Sequence, residues 1–163
     1  MGKLKRIDIG AGSPQIIADA SIGRGGAWSR DGTILFAPTN SSPLLRVPAS
    51  GGQPAPATKL DLPRQGSHRL PLFLPDGRHF LFFAQGNIEG QGIYLASLDS
   101  GETKRLTPAD AAAAYTEPTL VLYLRQDTLV ARTLDVNGGA LKGDPITVAD
   151  RVGYDNAFNT SNY

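Results

Sequence analysis

Cysteine is absent from the 163 residues, and methionine and tryptophan occur once each. Without cysteine there is no disulfide framework, no thiolate metal site and no cysteine nucleophile. Histidine is scarce as well: His68 and His79 are the only two, 11 positions apart. A metal centre needs a cluster of His, Asp or Glu ligands, and none is visible, so neither a metal nor a cofactor is expected. Charge of one sign is also missing, since 16 Lys and Arg face 15 Asp and Glu. Nucleic acid is therefore not an expected partner. The basic cluster Lys3-Lys5-Arg6 reads as a solvated strand edge. Long hydrophobic runs are missing too: Phe80–Ala84 and Leu120–Leu124 are the longest, whereas a membrane helix needs roughly 20 residues. Residues 1–8 carry charge but no apolar h-region, so they do not read as a signal peptide.

What the chain has in excess is glycine (19) and proline (12). Together they make up 31 of 163 residues, above the average usage of about 12%. Both weaken helix interiors, which argues against a helical bundle. The excess is organised by an internal repeat. Residues 28–37 read WSRDGTILFA and residues 73–84 read FLPDGRHFLFFA. Trp28 precedes Phe73 by 45 positions, and Asp31-Gly32 precedes Asp76-Gly77 by the same 45. Downstream, Leu44–Gly52 matches Ile93–Gly101. A weaker third copy has Leu120–Leu124 as its apolar run, Leu129–Asp135 as its next strand, Gly138-Gly139 as its turn and Ile146–Ala149 as its closing strand. It lacks the aromatic-x-x-Asp-Gly element. Leu4–Gly12 and Gln15–Ala18 repeat the end of a unit, and Val152–Asp155 reads as the start of another.

These units read as β-structure. Short runs of Ile, Leu, Phe and Tyr are bounded by Asp-Gly, Gly-Gly or Pro. Asp-Gly and Gly-Gly permit the positive φ of tight hairpins, and continuous apolar runs suit strands covered on both faces. The one helix candidate, Pro108–Ala114, is too short to stand alone and reads as a turn or loop. A period near 45 with about four short strands per unit is the pattern of propeller blades. The expected fold is all-β: a partial β-propeller of four-stranded antiparallel blades, about three blades with incomplete ends. The expected boundaries are the end of a blade over 1–22, blades over 23–66, 67–108 and 109–152, and the start of another blade over 153–163. The open edges predict self-association between chains.

The segment WSRDGTILFA, followed by a strand and a Gly-Gly turn, resembles the TolB-like, WD-like repeat of bacterial β-propellers. Arg30 stands where that repeat usually has proline, Pro75 keeps the proline, and Lys104-Arg105-Leu106-Thr107 is similar to its closing strand. The segments GKLKRIDIGAGSPQ, SHRLPLFLPDGRHFLFFA and GIYLASLDSGETKRL resemble more closely the C-terminal propeller region of bacterial eukaryotic-like serine/threonine kinases of the acidobacterial type. The resemblance implies a non-catalytic sensor or protein-interaction module that follows a kinase domain and a membrane span. That arrangement places it on the extracytoplasmic, periplasmic side. The partner would be a protein or small ligand held at the propeller rim or channel. Two other readings stay open: a periplasmic interaction propeller of the TolB type, and the accessory propeller of a prolyl-oligopeptidase-like peptidase.

Catalytic motifs are weak throughout. Gly10-Ala11-Gly12 is a lone G-x-G inside a hairpin, His68-Arg69-Leu70 lacks the aspartate of a kinase catalytic loop, and no D-F-G occurs. Ser67-His68 has no nucleophile elbow beside it. Asp31 and Asp76 recur immediately before glycine, which favours Asx-turns over acid–base chemistry. Trp28 and Phe73 recur where blade-to-blade packing needs a large apolar group. The structural repeat positions are thus Trp28, Asp31, Gly32, Phe73, Asp76 and Gly77. His79 reads as a turn or edge residue. His68 and Arg69 fall at the start of an inner strand and are the candidates for a channel contact.

Overall fold

The computed structural model describes residues 2–161, and every helix or strand among them is a strand. A hairpin of β1 (Lys3–Asp8) and β2 (Ala11–Asp19) comes first. Three four-stranded antiparallel sheets follow. The first holds β3 (Gly26–Trp28), β4 (Thr33–Phe36), β5 (Leu45–Pro48) and β6 (Ala55–Pro56). The second holds β7 (Gln65–Phe73), β8 (His79–Gly86), β9 (Gly92–Ser97) and β10 (Thr103–Thr107). The third holds β11 (Ala114–Thr116), β12 (Leu120–Arg125), β13 (Thr128–Asp135) and β14 (Ala140–Ala149). A last hairpin pairs β15 (Tyr154–Asp155) with β16 (Thr160–Ser161). Each sheet is a meander in which chain order equals spatial order. Residues 108–113 form the loop between β10 and β11.

The apolar runs explain how the sheets stack. Successive side chains of a strand point to opposite faces, so a run without polar interruption needs cover on both. In β8, Phe80, Phe82 and Ala84 pack with Leu35, Ala37 and Leu44 of the first sheet. Leu81 and Phe83, on the other face, pack with Val121, Tyr123, Val130 and Leu134 of the third. The same division holds at both ends of the stack. In β4, Ile34 and Phe36 meet Ile17 and Ala18 of the first hairpin. In β12, Leu124 lies in a cluster with Ala111 and Leu129, against which Tyr154 of the last hairpin packs. The interior strands β4, β8, β9, β12 and β13 each contribute to two cores, as in the face-to-face blades of a propeller. The fold is all-β, a partial, blade-based, propeller-like stack.

Turn chemistry sets the register. The N–H of Ala49 donates to the Gly32 carbonyl at 2.7 Å, that of Leu98 to Arg78 at 3.0 Å, and that of Leu134 to Thr119 at 2.7 Å. These three bonds occupy the same place in the three sheets. The second turn therefore carries one residue more than the first. In the third, Glu117-Pro118-Thr119, with a cis Glu117–Pro118 bond, stands where the others have Asp-Gly.

Candidate functional site

The first strands of the three sheets converge. The Leu70 N–H donates to the Arg24 carbonyl at 2.9 Å, joining the second sheet to the lead-in of the first. A cleft of about 350 Å³ runs between Gly25-Gly26, Leu70-Pro71-Leu72 and Ala112–Tyr115. At the C-terminal ends of these strands lies a second cleft of about 320 Å³, lined by Trp28, Leu72, Phe73, Pro75, Tyr115 and Glu117 among others. This cleft opens beside the last residues of β3 and β7. Trp28 belongs to it and is 56% exposed, so the expectation that the indole fills blade-to-blade packing is corrected. The physical reason is position: β3 is only three residues long and innermost, and its end turns toward the open cleft rather than toward a neighbouring sheet. Phe73 is half-buried; it lines the same cleft and meets Phe80 edge-on at 6.0 Å.

His68 lines neither cleft. It is 1% exposed, lies 4.6 Å from the Phe82 ring between centroids, and has a partner at each nitrogen. Nδ1 is 2.7 Å from Thr58 Oγ1 and Nε2 is 2.9 Å from Gln65 Oε1. Thr58 Oγ1 also accepts the Leu44 N–H at 3.0 Å. Its hydroxyl proton is then free to go to Nδ1, which assigns the Nε2–H tautomer and a donation to Gln65. Burial pushes the imidazole down to about 4, so the ring is neutral at pH 7. It pins the end of the first sheet to the start of the second and is closed to solvent.

Arg69, next in sequence, turns the other way in the pleat and reaches three parts of the chain. Its Nε donates to Ser67 Oγ at 2.8 Å, Nη1 to Asn159 Oδ1 at 2.8 Å and the Ala157 carbonyl at 3.2 Å, and Nη2 to the Asn40 carbonyl at 3.2 Å. It is 4% exposed. Burial, and the nearby Arg24 charge, lower its pKa from the ordinary guanidinium value. The sequence reasoning missed Arg24. The signal was present, because Arg24 lies 45 positions before Arg69, the repeat offset itself.

The recurring aspartates sit in turns. The Asp31 carboxylate accepts the Thr33 N–H at 3.1 Å and the Ser29 hydroxyl. Asp76 accepts the N–H groups of Arg78 and His79, both at 2.9 Å, and lies 2.5 Å from His79 Nδ1. The hydrogen bond from Ser29 is the largest influence holding Asp31 below the usual carboxylate range. At Asp76 burial works upward, but the bonds from His79 and the backbone outweigh it and the carboxyl also lies low. Gly32 and Gly77 follow with φ of 88° and 67°, a region that costs a Cβ-bearing residue roughly 1 kcal/mol or more. Among the described residues no group of three or more His, Cys, Asp or Glu is placed to hold a metal, and no helix is long and apolar enough to cross a membrane.

In comparisons with known proteins, no family model matches the chain and no curated protein is similar to it at a significant level.

Proposed function

We propose that this chain is a non-catalytic β-propeller sensor or interaction module, of the kind that its repeats resemble in the C-terminal region of bacterial membrane-anchored serine/threonine kinases. The observation that carries the reading is the cleft beside Trp28. Three sheets locked by shared cores present the ends of their first strands together, and Trp28, Phe73 and Tyr115 are gathered there around a cleft. Binding residues carried by loops and strand ends on a rigid scaffold are the usual way such folds work. Aromatic groups in a cleft supply contact area at small cost in side-chain entropy. The Asp residues that recur in the repeat are engaged in their own turns rather than held free for proton transfer.

Trp28 is the only tryptophan, so intrinsic fluorescence reads this cleft directly. Peptide and metabolite collections titrated against the chain should yield a saturable ligand that shifts Trp28 emission. Its affinity by calorimetry should fall at least tenfold in Phe73→Ala and Tyr115→Ala. Ligands whose affinity neither substitution changes, or turnover of a substrate by the purified chain, would refute the reading.

A further inference from the structure

Away from Trp28, two guanidinium groups meet the same turn, residues 157–159, one donating to the Ala157 carbonyl and Asn159 Oδ1 and the other lying over the Phe158 ring. They are Arg24 and Arg69, which occupy the same position in successive repeats. No carboxylate among the described residues forms an ion pair with either. All four acceptors around Arg69 are neutral: a hydroxyl, an amide oxygen and two backbone carbonyls. Arg24 is less well served. Its Nη1 makes one long bond, 3.4 Å to the Gly23 carbonyl, and its Nε is buried with no partner. Its remaining neighbour is the Phe158 ring, whose centroid is 4.9 Å from Cζ. Arg69 is buried and Arg24 partly so, and a buried guanidinium without an anion is costly.

The backbone singles out the same place. Leu70, the residue after Arg69, has φ of 50°, and Gly25, the residue after Arg24, has φ of 91°. Both repeats therefore adopt the left-handed conformation there, and the second does so with a branched side chain that disfavours it. The β7–β8 pairing slips between Arg69 and Leu72, and a bulge of this kind re-aims the side chains beside it.

We infer that Arg24 and Arg69 form a binding site for an oxyanion, a carboxylate or phosphate group carried by a small ligand. The planar fork of each guanidinium matches two oxygens of such a group. The anion supplies the charge that the neutral acceptors lack. The turn before β16 is its competitor, since Ala157 and Asn159 supply two of the acceptors on Arg69 and Phe158 covers Arg24. This goes beyond the binding-module reading: it concerns residues outside the Trp28 cleft and names a ligand chemistry, and its failure leaves the Trp28 experiment untouched.

The test is calorimetric titration of the whole chain with sodium phosphate and with sodium succinate, at an ionic strength held constant with sodium chloride. Saturable one-to-one binding of at least one is expected, and which one binds separates phosphate from carboxylate ligands. Arg24→Gln and Arg69→Gln should each weaken it at least tenfold. Arg69 is buried and its variant can fail to fold. Arg24→Gln loses only the long bond to Gly23 and the contact with Phe158, so it keeps the test decisive. Asn159→Ala removes an acceptor from Arg69 at a residue with φ of 57°, and should tighten binding by loosening the competing turn. No binding beyond that of sodium chloride, or binding that Arg24→Gln leaves unchanged, would overturn the proposal.

Discussion

Acid should weaken this fold through one side chain before its carboxylates are involved. The His68 imidazole titrates at about 4 in the folded protein, against 6.5 unperturbed. A base held below its unfolded pKa takes up a proton more readily when unfolded. Its contribution is therefore complete above about pH 6.5, declines as pH falls, and is gone below about pH 4. A shift of this size is worth about 3 kcal/mol, and the steepest decline approaches about 1.4 kcal/mol per pH unit. Asp31, Asp76 and Asp135 all lie below the ordinary carboxylate value, so their contributions fade only as pH drops through that range and beneath it. Between pH 6.5 and 4.5 His68 should dominate. Urea midpoints measured at half-unit steps from pH 7.5 to 4 should fall in the wild type. In His68→Gln, whose amide can still accept from Thr58 and donate to Gln65, they should start lower but stay nearly level. Parallel curves for the two proteins would refute the assignment of His68 as a buried neutral base.

Three other outcomes follow from the packing. Phe82 lies between the His68 ring at 4.6 Å and the Tyr94 ring at 5.3 Å, so Phe82→Ala should cost about 3–5 kcal/mol in denaturant unfolding. Trp28, more than half exposed, should emit near the wavelength of the unfolded chain and be readily quenched by acrylamide; a blue-shifted, protected emission would contradict its placement at the cleft. Ile7 and Ile16 are exposed on the first hairpin, and β1 pairs only with β2. Concentration-dependent association is expected in sedimentation, and Ile7→Lys with Ile16→Lys should reduce it.

Much of the fold was legible because its two main signals are local. Asp-Gly and Gly-Gly fix where hairpins turn, and the 45-residue spacing fixes which turns are equivalent. The run from Phe80 to Ala84 announced a strand covered on both faces, and its alternate residues do enter two different cores. The third sheet was harder to read. Its first turn, Glu117-Pro118-Thr119, does the work of Asp-Gly with different residues, although the Leu134 to Thr119 bond holds the same place. Side-chain direction was less legible still. Nothing in the neighbouring residues His68 and Arg69 says that one enters the seam between sheets and the other the converging first strands. That depends on the pleat and on the register slip beside Leu70. Trp28 and Phe73 share a repeat position, yet β3 has three residues and β7 has nine. Phe73 is partly covered because its ring meets Phe80 edge-on and packs against the core shared with the first sheet.

A repeat also exposes what repetition alone does not explain. Positions that build the stack are filled by residues suited to it: glycine where φ is positive at Gly32 and Gly77, apolar groups where two sheets meet. The pair Arg24-Gly25 and Arg69-Leu70 fits this logic only in part. Glycine at 25 accommodates the left-handed turn at no steric cost, while leucine at 70 adopts it against its preference. Arg69 is buried among neutral acceptors and Arg24 keeps a buried Nε without a partner, so no anion meets either charge. Beside them the third unit carries the run Ala111–Ala114, two of whose members, Ala112 and Ala113, line the cleft with Leu70. At position 70 a scaffold selected for stability alone would favour glycine. That both repeats keep arginine followed by a left-handed residue argues that this part of the axis is shaped by what it binds.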